Sequence, residues 1–364
     1  MELPIRPELR GLKPYGAPQL DVPVLLNVNE NPYSPPLAVV DAISTAVHKA
    51  AQTLNRYPDR DFIGLRTDLA NYLAREAKAD FLLFENIWVA NGSNEVMLHL
   101  HQAFGGPDRT VLSFAPTYSM YPEYSRDTAT SYVTLPRRDD FSIDVDAAAR
   151  EIAERSPSMV LLASPNNPTG TALSLDDVRT IADAASTVQG GCVVVVDEAY
   201  AEFRRRGVPS AIVLLPEIPQ LAVTRTMSKA FALAGGRVGY LAASAEIVDA
   251  LRIVSLPYHL SAVTQAVARA ALAHAHDLQA QVDEIRAERD ETVAWLRGQG
   301  FTVADTDANF ALFGPFADRE RVFEELLERG VLIRVVGPEG WLRVSIGTPQ
   351  EMARFRAALL EVMP

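Results

Sequence analysis

Lys229 stands in the run Thr224-Arg225-Thr226-Met227-Ser228-Lys229-Ala230-Phe231, with Arg237 eight positions beyond it. A β-prone stretch, Leu221 to Thr224, leads in. Small hydroxyl side chains, one lysine and one arginine in that order suit a lysine that forms a Schiff base beside a bound phosphate. Such a lysine must lose its proton near neutral pH, which desolvation or a cationic neighbour brings about. Thr226, Ser228 and Arg237 can give a phosphate dianion hydrogen bonds and one fixed charge. Pyridoxal phosphate (PLP) carries an aldehyde and a phosphate, so it meets both halves of the stretch. A Ser-Lys pair alone reads as a solvated surface loop, since most lysines are exposed. Other stretches reverse that.

PLP needs a carboxylate to keep its pyridine nitrogen protonated, so that the ring can accept the electron pair of a carbanion. Asp197 follows four valines, Val193 to Val196, and is the natural choice. Its plain alternative is a salt-bridged or helix-capping aspartate at a strand end. Asn167 and Tyr200 can donate to the ring O3′. Tyr118 can cover the ring face, against the alternative of a core tyrosine. In Asn91-Gly92-Ser93-Asn94-Glu95, Ser93 can serve as helix cap and phosphate ligand together. Displaced by an amine substrate, Lys229 can carry a proton between Cα and the cofactor as general base and acid. Arg334 and Arg343 offer planar guanidinium groups to a carboxylate or phosphate. A solvated face is the rival reading for Arg334.

These residues need elements to hold them. Strand-like runs at Ile87 to Ala90, Thr110 to Phe114, Met159 to Ala163, Cys192 to Val196 and Leu221 to Thr224 alternate with helical patterns. Each run ends in polar residues, and open parallel sheets bind ligands at the carboxyl ends of their strands. The expected class is α/β: a large PLP-binding domain with a mainly parallel central sheet flanked by helices, a smaller α+β C-terminal domain and an extended N-terminal arm. Prolines deny residues 1–35 regular helix; the large domain is set at 36–262 and the small one at 263–364. One long helix, about Val263 to Arg297, should bridge the two. Ser174 with Asp177, and Thr348 with Pro349 and Glu351, read as helix starts.

Composition narrows the rest. The chain has 364 residues, 48% of them hydrophobic and 22% charged, which is ordinary for a globular protein of more than one domain. A net charge of −12 argues against nucleic acid or an anionic membrane as partner. Cys192 is the only cysteine, so no intrachain disulfide forms, and it reads as a small buried hydrophobe. The N-terminus does not read as a signal peptide, no apolar run has the length of a membrane span, and a cytoplasmic location is expected. His99 and His101, like His274 and His276, are two apart on helical patterns, so no metal site is expected. No G-x-G-x-x-G follows the first strand, which weakens a dinucleotide-binding reading.

Taken together, Tyr15-Gly16-Ala17-Pro18-Gln19-Leu20, Asn29-Glu30-Asn31-Pro32, Arg56-Tyr57-Pro58-Asp59, Asn91-Gly92-Ser93-Asn94-Glu95, Tyr118-Ser119-Met120, Ser164-Pro165-Asn166-Asn167-Pro168-Thr169-Gly170, Asp197-Glu198-Ala199-Tyr200, Thr226-Met227-Ser228-Lys229-Ala230-Phe231, Leu256-Pro257-Tyr258-His259-Leu260 and Leu342-Arg343 resemble the fold-type I PLP-dependent aminotransferases. Within these the chain is similar to the histidinol-phosphate aminotransferases of the actinobacterial type, over nearly its whole length. The resemblance implies a homodimer acting on small molecules, an amino donor and a 2-oxo acid. It implies Lys229, Asp197 and Tyr200 as catalytic residues. Ser93, Asn94, Thr226, Ser228 and Arg237 would hold the cofactor phosphate, with Tyr57 arriving from the partner subunit. Tyr118 would stack on the ring, and Asn167 and Tyr200 would contact O3′. Tyr15, Asn31, Tyr258, Arg334 and Arg343 would surround the substrate. The implied reaction converts L-histidinol phosphate and 2-oxoglutarate to imidazole-acetol phosphate and glutamate, in histidine biosynthesis. Departures stand at Tyr121, where relatives usually have His, at Val335, where Asp is common, and at Leu98-His99, a place often held by glutamines. They leave open an aromatic amino-acid transaminase on the same scaffold.

Overall fold

A computed structural model of the chain describes residues 3–363. Its centre is a seven-stranded sheet in the order Ile87–Ala90, Gly239–Ala243, Leu221–Thr226, Val193–Asp197, Met159–Ala163, Thr110–Ala115, Ser131–Pro136. All neighbours run parallel except Gly239–Ala243, which is antiparallel to both of its partners. Every residue of Met159–Ala163, Val193–Asp197 and Leu221–Thr226 is buried. Continuous apolar runs of this kind belong to strands covered by helices on both faces. Asp197 and Thr224 are register partners, so the strand ends that carry chemistry lie side by side. The outer strand Ser131–Pro136 is half exposed and lacks such an apolar run, so the sequence did not announce it.

A second, antiparallel sheet has the order Arg334–Val335, Leu342–Ser345, Phe310–Gly314, Thr302–Val303. Beside it, Val24–Leu25 of the N-terminal arm pairs in parallel with Val331–Leu332. The five residues from Val331 to Val335 thus form two short strands that join different partners. The capping boxes at Ser174 and Thr348 are both formed.

Two expectations fail. Ser93 is not a helix cap: Gly92 takes that position at φ 90°, and Ser93 is the first residue of the helix Ser93–Phe104. The glycine supplies a backbone conformation that a serine adopts only with strain. The long bridging helix is two helices, Ala262–Ala273 and Ala275–Gly298, broken at His274. His274 leaves helical geometry with φ −112° and ψ 21°, and its Nδ1 meets Asp277 Oδ2 at 2.9 Å. No glycine or proline marks the break. Among the described residues no helix is long and apolar enough to cross a membrane. Cys192 is buried, and burial pushes its thiol up to about 12.

Candidate active site

The carboxyl edge of the large sheet, the arm and the second sheet enclose a cleft of about 470 Å³. Tyr15, Ser93, Asn94, Tyr118, Asn167, Asp197, Tyr200, Thr226, Ser228, Lys229, Arg237, Arg334 and Arg343 all line it. A volume of that order suits a cofactor with a small substrate.

Lys229 follows the strand Leu221–Thr226 and turns inward, where its Nζ donates to the carbonyl of Val28 at 2.9 Å. Desolvation, then the positive charges of Arg343 and Arg237, bring its ammonium down to about 8. Those causes are the ones that make a lysine nucleophilic near neutral pH.

Asp197 ends its strand fully buried. Its Oδ2 accepts from the Tyr121 hydroxyl at 3.0 Å. Its Oδ1 accepts from the Thr224 hydroxyl at 3.1 Å and from the Ala199 N–H at 3.2 Å. Burial pushes its carboxyl up, and the donors from Tyr121, Thr224 and Ala199 pull it back. No cation pairs with it among the described residues, which disposes of the salt-bridge alternative. A protonated pyridine nitrogen would supply the missing counter-charge.

Tyr200 carries the next element of the arrangement. Its Oη accepts from Asn29 Nδ2 at 3.0 Å and from Asn167 Nδ2 at 3.4 Å. With both lone pairs engaged, its own proton is free to be donated into the cleft. Asn167 Oδ1 in turn takes a close hydrogen bond from Arg343 Nη1, and Arg343 Nη2 donates to the Asn27 carbonyl at 2.7 Å. The guanidinium lies 5.1 Å from the centre of the Phe310 ring. Desolvation lowers Arg343 to about 10, so it stays charged at neutral pH. Arg334 faces it as register partner on the adjacent strand.

The other end of the cleft is built for an anion. The helix Ser93–Phe104 points its free N–H groups there. Thr226 Oγ1 and Ser228 Oγ are 3.0 Å apart, and Arg237 Nη1 donates to Ser228 Oγ at 3.4 Å. The turn passes so close to Gly239 that a Cβ there would stand 2.0 Å from the Ser93 nitrogen. Tyr118 lies above, its hydroxyl donating to Asn94 Oδ1 at 3.3 Å and its ring edge-on to Tyr121. At the mouth, Tyr15 Oη and Ser119 Oγ share a hydrogen bond of 2.7 Å.

Two residues expected in this cleft, Tyr258 and Asn31, are not brought into it, and Tyr57, expected at the partner subunit's site, also lies outside its own chain's cleft. Tyr57 and Tyr258 stack on one another at 4.5 Å outside it. Asn31 turns away, accepting from the Tyr33 N–H at 3.0 Å and facing the Ala230 carbonyl at 3.5 Å. Conversely, Tyr121, Thr224 and Asn29 contact site residues without being among the expected ones. Thr224 had a signal, since it ends the strand beside Asp197. Asn29 and Tyr121 had none, because their partners are set by tertiary packing.

The family model for aminotransferase class I and II matches residues 22–359. A histidinol-phosphate aminotransferase 3 of Burkholderia lata is 60% identical over 362 residues, covering 100% of this chain and 96% of the relative. A histidinol-phosphate aminotransferase of Thermobifida fusca is 58% identical over 359 residues, covering 99% and 95%. Among solved structures, a Thermus thermophilus aspartate aminotransferase tetra mutant superposes with TM-score 0.82 at 25% identity, covering 99% of both chains. The histidinol-phosphate aminotransferase of Sinorhizobium meliloti, solved with pyridoxal-5'-phosphate, gives TM-score 0.82 at 24% identity over 94% of this chain and 91% of that one, a likeness of fold. With the family model spanning nearly the whole chain and relatives this similar at full length, the protein belongs to the class I and II aminotransferases.

Proposed function

We propose that this chain transfers the amino group of L-histidinol phosphate to 2-oxoglutarate, giving imidazole-acetol phosphate and L-glutamate in histidine biosynthesis. The observation that carries the reading is the pairing of Arg334 with Arg343 on the wall of the cleft that holds Lys229 and Asp197. Both substrates end in an anion, a phosphate monoester in one and a carboxylate in the other, and guanidinium forks bind either. The names of the Burkholderia lata and Thermobifida fusca relatives agree.

Pyridoxal phosphate is the cofactor, and the residues present fit it. Ser93, Asn94, Thr226, Ser228 and Arg237 would hold its phosphate, Tyr118 would cover its ring, and Tyr200 with Asn167 would face O3′. Bound there, it supplies an electron sink and a carrier for the amino group. Asp197 holds the ring nitrogen's proton in place. Lys229 Nζ, desolvated and flanked by arginine charge, takes the proton from the substrate Cα and returns it on the other side of the transfer. The Tyr200 hydroxyl, which accepts from Asn29 and Asn167, would donate a hydrogen bond to O3′.

The protein acts as a homodimer in the cytoplasm. Leu37 and Tyr57 are each 81% exposed, Ile253 84% and Leu256 75%, apolar side chains that a second copy would cover. Tyr57 and Tyr258, outside their own cleft, would serve the partner's. The test is glutamate formation by the purified, PLP-loaded protein from histidinol phosphate and 2-oxoglutarate. Turnover with a kcat/KM well above that for L-phenylalanine is expected. No turnover, or a preference for phenylalanine, would overturn the reading.

A further inference from the structure

One carboxylate in the cleft has no hydrogen-bond partner among the described residues. Asn29 Oδ1 accepts from Ser345 Oγ at 2.8 Å, and Asn167 Oδ1 from Arg343. Asp197 is taken up by Tyr121, Thr224 and the Ala199 N–H. Glu30 also lines the cleft, is exposed, and its carboxylate makes no hydrogen bond or ion pair among the described residues.

The backbone that carries Glu30 is nonetheless pinned. Asn29, at φ 55°, donates its N–H to Ser345 Oγ at 2.9 Å and its Nδ2 to Tyr200 at 3.0 Å. The Asn309 amide donates to the Asn29 carbonyl at 3.0 Å and to the Glu30 carbonyl at 3.4 Å. A solvated surface acid needs no such clamp. Glu30 is also close enough to oppose Arg343 and Arg237 in the field at Lys229. The cleft thus pairs two guanidinium groups with one free carboxylate acceptor on a pinned backbone. That combination suits a ligand with an anion at one end and an N–H donor elsewhere.

Resting on the histidinol-phosphate reading above, we propose that Glu30 accepts the imidazole N–H of the substrate and lets the cleft distinguish an imidazole from a phenyl ring. A hydrogen bond to a charged acceptor in a partly enclosed site corresponds to about 10- to 100-fold in affinity. Phenylalanine-type rings have no proton to offer Glu30 and would leave it facing an apolar edge.

The test compares histidinol phosphate with 2-amino-3-phenylpropyl phosphate on the PLP-loaded enzyme. Amine and phosphate are the same in both; only the ring differs. Wild type should favour the imidazole ester in kcat/KM by about tenfold or more. Glu30→Ala should lower kcat/KM for histidinol phosphate about 10- to 100-fold and change the phenyl ester about twofold at most. The dissociation constant of 3-(imidazol-4-yl)propyl phosphate, which lacks the amine and cannot react, should rise to match. Glu30→Gln keeps an acceptor oxygen without the charge, so at pH 8 its kcat/KM for histidinol phosphate should lie between those of wild type and Glu30→Ala. It should fall further behind wild type at pH 6, where an imidazole of pKa about 6.5 is charged. Equal losses on both esters, or no loss on either, would overturn the role of Glu30 alone. Failure of wild type to turn over histidinol phosphate would overturn the substrate reading, and this assignment with it.

Discussion

The Tyr121 hydroxyl donates to Asp197 Oδ2 at 3.0 Å, with both side chains buried. The phenol enters on the short helix Tyr121–Asp127, and the carboxylate ends a central strand of the sheet. A carboxylate held by three donors stays ionised more readily than burial alone would allow. Tyr121 thereby helps Asp197 to remain the anion that a protonated ring nitrogen requires.

Replacing Tyr121 by Phe should leave the fold intact, since it removes one oxygen and no ring. It deprives a buried acceptor of a donor, a change of about 1–3 kcal/mol. The PLP dissociation constant should rise and kcat should fall, each by about 5- to 100-fold. Titration of apoprotein with PLP, followed by absorbance, gives the first; initial rates give the second. Unchanged values of both would show that Thr224 and the Ala199 N–H suffice.

Lys229 reacts as the neutral amine, and desolvation with Arg343 and Arg237 brings its midpoint to about 8. The rate of PLP capture by apoprotein should therefore climb through neutral pH, about tenfold per unit, and level off above pH 8. Arg343 lowers the midpoint because its positive charge disfavours a second one nearby. Arg343→Gln should accordingly move the midpoint upward. Stopped-flow capture at a series of pH values reads both; a midpoint that stays put or falls in the variant would contradict this electrostatic account.

Behind the cleft, Arg225 is wholly buried and meets Glu198 at 2.8 Å, Glu202 at 3.1 Å and Glu76 at 3.1 Å. It sits next to Thr224, so the same strand faces Asp197 with one residue and this cluster with the next. Arg225→Met would leave Glu202 without its ion-pair partner, and Glu76 and Glu198 with Arg204 alone, at 3.2 Å and 3.5 Å. A loss of about 3–5 kcal/mol is expected, visible in chemical denaturation. A loss under about 1 kcal/mol would mean that the cluster rearranges around Arg204 instead.

Gly239→Ala tests the anion end. The added Cβ would lie 2.0 Å from the Ser93 nitrogen and 2.2 Å from the Gly92 carbonyl carbon. Backbone cannot yield as a side-chain tip can, so the helix N-terminus must shift, at about 1–3 kcal/mol. PLP affinity should fall with it, and pyridoxal without the phosphate should be affected less. Equal effects on both aldehydes would remove the phosphate from this end of the cleft.

What could be read from the sequence was local. Asp197 after Val193 to Val196 announces a buried strand ending in an acid, and Thr226 to Lys229 announces a phosphate-and-lysine turn. Both needed only short-range pattern, and the structure brings both to one edge of the sheet. What escaped depends on long-range packing. Asn29 meets Ser345, 316 positions away. Lys229 rests on the Val28 carbonyl, 201 positions away. Tyr121 was noticed as a departure at its position, yet its bond to Asp197 spans 76 residues and no spacing rule foretells it. The break at His274 lacks the residues that usually signal one. Tyr258 was expected beside the substrate and instead stacks outside the cleft on Tyr57, the residue expected at the partner subunit's site.

The most direct test is a single-turnover absorbance measurement on the PLP-loaded protein mixed with L-histidinol phosphate and no 2-oxo acid. Rapid conversion of the cofactor to its amine form is expected, with slower conversion by L-phenylalanine and none in Lys229→Ala within the same time. Conversion in Lys229→Ala at the wild-type rate, or faster conversion with phenylalanine than with histidinol phosphate, would contradict it.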